Sequence, residues 1–499
     1  MTNPVNRFFQ GHPAGLPTLF FTEMWERMSY YGMRALLILF MTTAIQEGGL
    51  AFSVETAAAI YGLYTGAVYF MGLPGGWLAD RLIGSQRAVW YGGVIIMCGH
   101  IVLAIPNEKT FFVGLILVVL GTGLLKPNIS ALVGALYAPA DERRDSGYTL
   151  YYMGINLGSV IGYTICGYLA ENVGWHWGFG AAAVGMALGL VQYRLTLYKL
   201  EGAGAEPIKE LAPQGRTLSW SLIIAFLAGL SLVTLAMLFG ALQFDPRTLA
   251  EKTAIVILSV FFIYYAFIFF FGELDGPEKK RLGALFLICI ASACFWSGFE
   301  QAGSSLNLFG RDYTDRMLGS FEIPASWFQS VNSIFILTLS PFFAWMWISL
   351  GKRMLDPSYS IKCGIGIVIM ASGFICMYFA AHIAASGMKA AAYWLVMTYF
   401  LHTVGELCLS PVALSAVSKL APRRFAGQLM GVFILTYSIG SVIAGLLAGN
   451  FNPEKIDELP GLFLQISLFS IAIGIVVFLL SLKTRHWEKY ADADTSENT

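Results

Sequence analysis

Apolar runs long enough to cross a bilayer recur about fourteen times along this 499-residue chain, and the recurrence leaves very few folds open to it. Inside lipid every backbone N–H and C=O must find its partner within the protein, so runs of about 20 apolar residues have to be helices. The first six cover approximately 18–45, 56–78, 86–105, 111–133, 146–170 and 177–197. Two more fall near 218–242 and 253–272, and the last six near 283–304, 326–350, 361–384, 391–418, 424–449 and 461–483. Charged residues make up 12% of the chain, about half the roughly 25% of soluble domains. The prediction is an all-α polytopic membrane protein, with the bilayer as its surroundings and no nucleic acid among its partners.

Charge placement orients the spans. With the N-terminus set in the cytoplasm, about 21 Lys and Arg fall on cytoplasmic segments and about 7 on outer loops. That bias, with an even number of spans, predicts both termini inside a multi-pass protein of the cell (inner or plasma) membrane. The opening stretch to Pro17 is polar and rich in Gly and Pro, and the run after it is long and charged, unlike a signal-peptide core; it is expected to stay as the first helix. The seven cysteines, Cys98, Cys166, Cys289, Cys294, Cys363, Cys376 and Cys408, all lie in apolar spans without C-x-x-C spacing. They read as small buried hydrophobes, with no metal site expected.

Seven ionisable residues interrupt the spans: Glu23, Glu26, Arg27, Arg34, Lys126, Glu300 and Glu406. A charge at the bilayer centre costs at least about 2.5 to 3.5 kcal/mol, so such groups usually face a water-filled cavity or a partner and mark a transport route. Four acids stand against three bases. Protonating one carboxylate balances the set, which is the arithmetic of a proton-coupled carrier.

The spans divide into two halves of six. The expected domains are an N-terminal six-helix bundle (1–200), a linker with two extra membrane helices (201–282), a C-terminal six-helix bundle (283–485) and a cytoplasmic tail (486–499). Two such bundles with a site near the membrane midplane are the arrangement of major facilitator carriers. Between spans two and three, Gly75-Gly76-Trp77-Leu78-Ala79-Asp80-Arg81-Leu82-Ile83-Gly84-Ser85-Gln86-Arg87 resembles the cytoplasmic loop motif of that superfamily. Asp80 and Arg81 are its candidate gating residues, and the paired glycines permit close helix packing.

The first span carries the most specific pattern. In Glu23-Met24-Trp25-Glu26-Arg27-Met28-Ser29-Tyr30-Tyr31-Gly32-Met33-Arg34, positions 23, 27, 30 and 34 fall within about 60° of one another on a helix of 3.6 residues per turn. Glu23 precedes Arg27 by four residues, the favourable order for an intrahelical ion pair. A carboxylate whose pairing with Arg depends on conformation has a proton affinity that conformation can move.

This stretch closely resembles the first-helix signature E-x-x-E-R-F-x-Y-Y-G of the proton-dependent oligopeptide transporter (POT, or PTR) family, with Met28 in place of Phe. In the fifth span Tyr151-Tyr152-Met153-Gly154-Ile155-Asn156-Leu157-Gly158-Ser159 resembles the family's F-Y-x-x-I-N-x-G-S, with Tyr151 where Phe is usual. The resemblance covers nearly the whole chain, including the two extra spans of bacterial members. It implies a major facilitator fold and a symporter that imports di- and tripeptides with protons by alternating access, without a cofactor and as a monomer.

The resemblance also distributes roles. Glu23, Glu26, Arg27 and Glu300 would couple protons. Lys126, before Pro127 and Asn128 in the fourth span, is by its position either an anchor for a substrate carboxylate or a gate; the resemblance implies both, with Arg34 as its companion. Arg34 would pair with Glu300 as an outer gate and Lys126 with Glu406 as an inner one. Glu406, with Asn156 and Asn332 as amide partners, would read the peptide ammonium, and Tyr30, Tyr64, Tyr69, Trp296 and Phe433 would line roomy side-chain pockets. Ser333 and Phe433 stand where relatives often carry Pro and Trp. The second span (57–78) holds no His, unlike animal relatives, which leaves the proton to carboxylates; His402, one turn from Glu406, is the histidine of interest.

Two other readings stay in view. A carrier of another small anion such as nitrate would keep the first-helix pattern without needing Glu406, and a non-transporting peptide sensor of this fold would keep all of it. A membrane enzyme would need a nucleophile, an acid/base pair or a metal cluster, and no H-E-x-x-H, G-x-S-x-G or Cys/His spacing occurs; the chain is not expected to be an enzyme.

Overall fold

The computed structural model describes residues 9–138 and 141–488, and within them the chain is almost entirely helical. The expected tail falls largely outside the described residues, which end at Glu488. In chain order the helices are α1 Leu16–Thr42, α2 Val54–Leu78, α3 Ser85–Leu103, α4 Glu108–Ala135, α5 Arg144–Asn172, α6 Trp175–Thr196, α7 Pro213–Leu238, α8 Pro246–Phe271, α9 Gly276–Phe299, the short α10 Ser305–Asp312, α11 Ser330–Lys352, α12 Tyr359–Ala385, α13 Tyr393–Leu420, α14 Ala426–Ala448 and α15 Leu459–Glu488. Two-residue strands pair on the loops: β1 Thr314–Asp315 runs parallel to β4 Ala390–Ala391, and β2 Met317–Leu318 antiparallel to β3 Phe321–Glu322.

The fourteen long helices match the fourteen spans read from hydropathy. Eleven are by themselves long and apolar enough to cross a membrane, among the described residues. The other three are α1, which carries Glu23, Glu26, Arg27 and Arg34, and α3 and α6, which are diluted by Gln86, Arg87 and His100 and by His176, Gln192 and Arg194.

Local chemistry sets several ends. Asn107 caps α4 by accepting from Lys109 N at 2.8 Å. Asp275 and Glu278 form a reciprocal capping box at the start of α9, with bonds of 2.6 and 3.1 Å. Glu488, at the end of α15, caps a different helix: it accepts from Tyr359 N (2.7 Å), Ser360 N (3.3 Å) and Ser360 Oγ (2.6 Å) at the start of α12.

The chain forms two compact units. One contains the described residues up to Leu50 and those within Ala67–Asp245; the other contains Ala51–Gly66 and the described residues from Pro246 onward. The division passes through α2.

In the first unit α5 lies along α1, and α3 pairs with α4. Gly154, Gly158 and Gly162 recur every fourth residue on α5 and face Phe20, Met24 and Met28; a methyl group at 158 or 162 would overlap the Met24 or Met28 carbonyl oxygen. Small residues replace the hydrophobic drive that lipid removes, letting helices approach until backbones touch. In the second unit the first half of α2 packs on α14, with Gly62 against Gly445 and Ser438 Oγ donating to Gly66 O at 2.8 Å. Ala250 and Ala254 of α8 join the same face beside Ala59 and Val442. Helix α7 buries no side chain at all.

Candidate functional site

The first unit gathers most of the predicted charges on one helix. Glu23, Glu26 and Arg27 are no more than 2% exposed. Arg27 Nε lies 3.0 Å from Glu23 Oε1 and is also ion-paired with Glu26, so a single guanidinium serves two carboxylates. Glu23 Oε2 and Glu26 Oε1 accept no hydrogen bond among the described residues. Tyr30 and Tyr31 flank the guanidinium at 5.2 and 5.8 Å, and Arg34, also buried, lies 6.0 Å from the Tyr31 ring.

Lys126 comes to the same place from α4, within electrostatic reach of Glu26, Glu23, Arg27 and Arg34. Its ammonium sits 4.4 Å from the centre of the Tyr69 ring, close enough for a cation–π attraction. Pro127 removes a helix donor here, and Asn128 answers the disruption by donating to Leu124 O (2.6 Å) and Gly75 O (3.2 Å). Glu23 and Glu26 stand against Arg27, Lys126 and Arg34, and removing a partner from the buried Glu23–Arg27–Glu26 group would leave a buried charge uncompensated, typically at about 3 to 5 kcal/mol. Asn156 is buried on α5 and donates to Tyr152 O of its own helix at 3.0 Å.

The second unit holds a second cluster. Asn332 Nδ2 on α11 donates to Glu406 Oε2 at 3.1 Å and to Thr403 Oγ1 at 2.9 Å. Glu300, 1% exposed at the end of α9, interacts electrostatically with Glu406. Trp296, one turn before it, packs its ring on Tyr437 of α14 at 4.6 Å, and the Tyr437 hydroxyl bonds Ser410, one turn beyond Glu406.

Among the aromatic side chains expected to line pockets, Tyr30, Tyr64, Trp296 and Phe433 are buried and Tyr69 is partly so. Phe433 is fully buried and edge-on to Tyr437 at 5.6 Å, so the partly accessible aromatic surface there is Tyr437. Tyr437 was not singled out in the sequence; its only signal was an aromatic residue one helical turn beyond Phe433. Tyr64 is buried and groups with the second unit, whereas Tyr30 and Tyr69 belong to the first. His402 is wedged between the Phe374 and Phe299 rings at 5.0 and 6.2 Å, and neither ring nitrogen has a hydrogen bond among the described residues.

Asp80 and Arg81 occupy a widened helical turn, Ala79–Ile83, ended by Gly84 at φ +79°. The segment after α6 closes over it. Lys209 N donates to Asp80 O (3.1 Å), Gln86 N and Nε2 donate to Gly204 O (3.0 Å) and Ala203 O (2.9 Å), and Arg87 pairs with Glu206 at 3.3 Å. A side chain at Gly84 would be strained by that φ and would press on Ala205 O. Glu206 is a partner for this loop that the motif itself does not contain.

Known proteins resemble the chain along nearly its whole length. The chain is 41% identical to the peptide transporter YePEPT of Yersinia enterocolitica, over 97% of this chain and 96% of that one. It is 34% identical to a di-/tripeptide transporter of Lactococcus lactis subsp. cremoris, over 96% of each. Among solved structures it is similar to a peptide transporter POT in complex with sulfate (TM-score 0.89, 39% identity, 96% of each chain) and to a POT family transporter in complex with 5-aminolevulinic acid (TM-score 0.87, 34% identity, 95% of this chain and 98% of that one). The family model described as POT family matches residues 86–460. With both helix signatures in place outside and inside that match, this multi-pass membrane transporter belongs to the POT family.

Proposed function

We propose that the protein imports di- and tripeptides together with protons, by alternating access of its two six-helix halves across the cell's inner membrane, with both termini in the cytoplasm. The observation that carries this reading is the buried Glu23–Arg27–Glu26 group, in which two carboxylates compete for one guanidinium beside Lys126. Protonating either acid releases part of the cationic charge. Arg34 and Lys126 are then available to a peptide carboxylate through charge-assisted bonds.

At the other end of the substrate, Glu406 held by Asn332 offers an anion to the peptide ammonium, and Tyr437 and Trp296 bound the adjoining space. Reading both termini and leaving the side chains loosely contacted admits many peptides. The names of the relatives, a peptide transporter and a di-/tripeptide transporter, support the substrate class. Arg34 with Glu300 and Lys126 with Glu406 form the alternating outer and inner gates, and Asp80 and Arg81 act at the cytoplasmic loop. The proton is the coupling ion, no cofactor takes part, the working unit is a monomer, and the chain transports without catalysing a reaction. Each net charge carried inward gains about 2.3 kcal/mol per 100 mV.

Uptake of labelled di- and tripeptides into proteoliposomes, with the pH gradient and voltage set independently, tests this. Gradient-driven accumulation should collapse in Glu23→Gln and Glu26→Gln while exchange at equal pH survives in part. Unchanged accumulation in both variants would remove the cluster from the mechanism, and peptide binding without flux would assign the chain to sensing.

A further inference from the structure

A proton that arrives on Glu23 must also leave it, and Glu23 is 2% exposed. Its Oε1 faces Arg27, and its Oε2 accepts no hydrogen bond among the described residues. The neutral hydroxyl facing this carboxylate comes from Tyr151 on α5, which interacts electrostatically with both Glu23 and Arg27. Tyr151 is itself 4% exposed, packed among Phe20, Met24 and their neighbours. Its hydroxyl lies 3.2 Å from Ser130 Oγ on α4.

Ser130 is only half-buried, and its own carbonyl accepts from the Tyr148 hydroxyl at 3.2 Å. Tyr148 stands one turn nearer the start of α5, beside Gly134 and Arg144, at the end of the unit where α1 and α5 begin and α4 finishes. Position 151 is also where the fifth-span signature usually carries Phe, which has no hydroxyl to offer.

We propose that Tyr151 and Ser130 form a hydroxyl relay that carries the proton from Glu23 to water at the cytoplasmic end of the first unit. This rests on the assignment of Glu23 to proton coupling. Each hydroxyl can accept one proton while donating its own, as a relay requires. The Glu23 O–H bond breaks as a bond to Tyr151 Oη forms, the tyrosine's own proton passes to Ser130 Oγ, and the serine's passes to water. Both hydroxyls end neutral, Glu23 ends as a carboxylate, and one proton has left. The other charged groups facing Glu23 are Arg27 and Glu26 from its own helix and Lys126 from α4. From α6 the nearby polar group is the neutral Gln192, which Thr22 contacts at 3.1 Å.

The test compares Tyr151→Phe, Ser130→Ala, the double variant and Ser130→Thr with wild type in proteoliposomes, in H2O and D2O. Loss of a positioned proton-transfer group should slow gradient-driven uptake by roughly tenfold or more, since such groups contribute about 10² to 10⁴ to proton-transfer steps. Exchange of peptide at equal pH should fall far less, the double variant should be no slower than the slower single one, Ser130→Thr should restore the rate, and the solvent isotope effect should change in the slowed variants. Equal losses of driven uptake and exchange would mean a packing role and overturn the relay. Wild-type driven uptake in Tyr151→Phe and Ser130→Ala, with uptake lost in Glu23→Gln, would overturn the relay and leave the coupling assignment standing. Full accumulation in Glu23→Gln would remove both.

Discussion

Replacing Gly440 with Ala puts a number on how closely the cluster proposed to read the peptide ammonium in the second unit is positioned by helix packing. An added methyl group at 440 would lie 2.5 Å from Trp296 Cβ and 3.0 Å from both Ala293 O and Ser297 N of α9. These atoms are backbone or directly attached to it, so no side-chain rotation relieves them. Ordinary contact begins at 3.4 Å, and the two helices must separate by about 0.9 Å. The shift would stretch the Ser292–Thr436 hydroxyl contact of 2.8 Å across the same interface. Overpacking of this kind costs about 1 to 3 kcal/mol, and interhelical hydrogen bonds in membranes average about 0.6 kcal/mol. Function should suffer more than stability, because Trp296 moves with its helix, Glu300 follows one turn later, and misplacing reacting or binding groups by about 1 Å can cost about 10²-fold. Purified Gly440→Ala should melt at a lower temperature and take up dipeptide roughly ten to a hundred times more slowly per folded molecule. Gly427→Ala, on the same helix with open space around it, is the control and should match wild type. If Gly440→Ala melts and transports like wild type, the reasoning from close packing to site geometry fails.

Other expectations rest on single contacts. Lys126→Ala should weaken binding of a free-carboxylate peptide more than of its C-terminal amide in competition assays, since bonds to charged groups are worth about 1.5 to 3 kcal/mol; equal losses would confine Lys126 to gating. Glu406→Gln should narrow the preference for free over N-acetylated peptides, and a preference left at full strength would place the ammonium site elsewhere. Glu488→Ala removes the carboxylate that caps α12 from another helix and should lower the melting temperature by the equivalent of about 0.5 to 2 kcal/mol, a shift whose absence would show the cap to be energetically idle.

Hydropathy alone set the architecture, because a bilayer admits only helices for chains of this kind and spaces them by its thickness. The Glu23–Arg27 pairing was equally legible: helical periodicity fixes which residues four apart meet, and no tertiary information is needed. Even α1, the most charged of the long helices near its middle, was readable as an apolar run, and its motif then singled out the charges within it. The partnership of Asn332 with Glu406 came from family resemblance, since nothing in residues 74 positions apart announces a 3.1 Å contact.

Other features depended on which helices pack together. Phe433 and Tyr437 are one turn apart and similar in character, yet contact with neighbouring helices buries the first and leaves the second half-open beside Trp296. Tyr151 looked like a mild departure within a motif; only the approach of α4 and α5 to α1 gives its hydroxyl Ser130 on one side and Glu23 on the other. The same holds for Glu488, 128 residues beyond the Ser360 it caps. Periodicity along one helix is a local property of the chain, so the sequence by itself determined the spans and the charged stripe; contacts between helices depend on where small residues let backbones meet, and those only the tertiary structure decided.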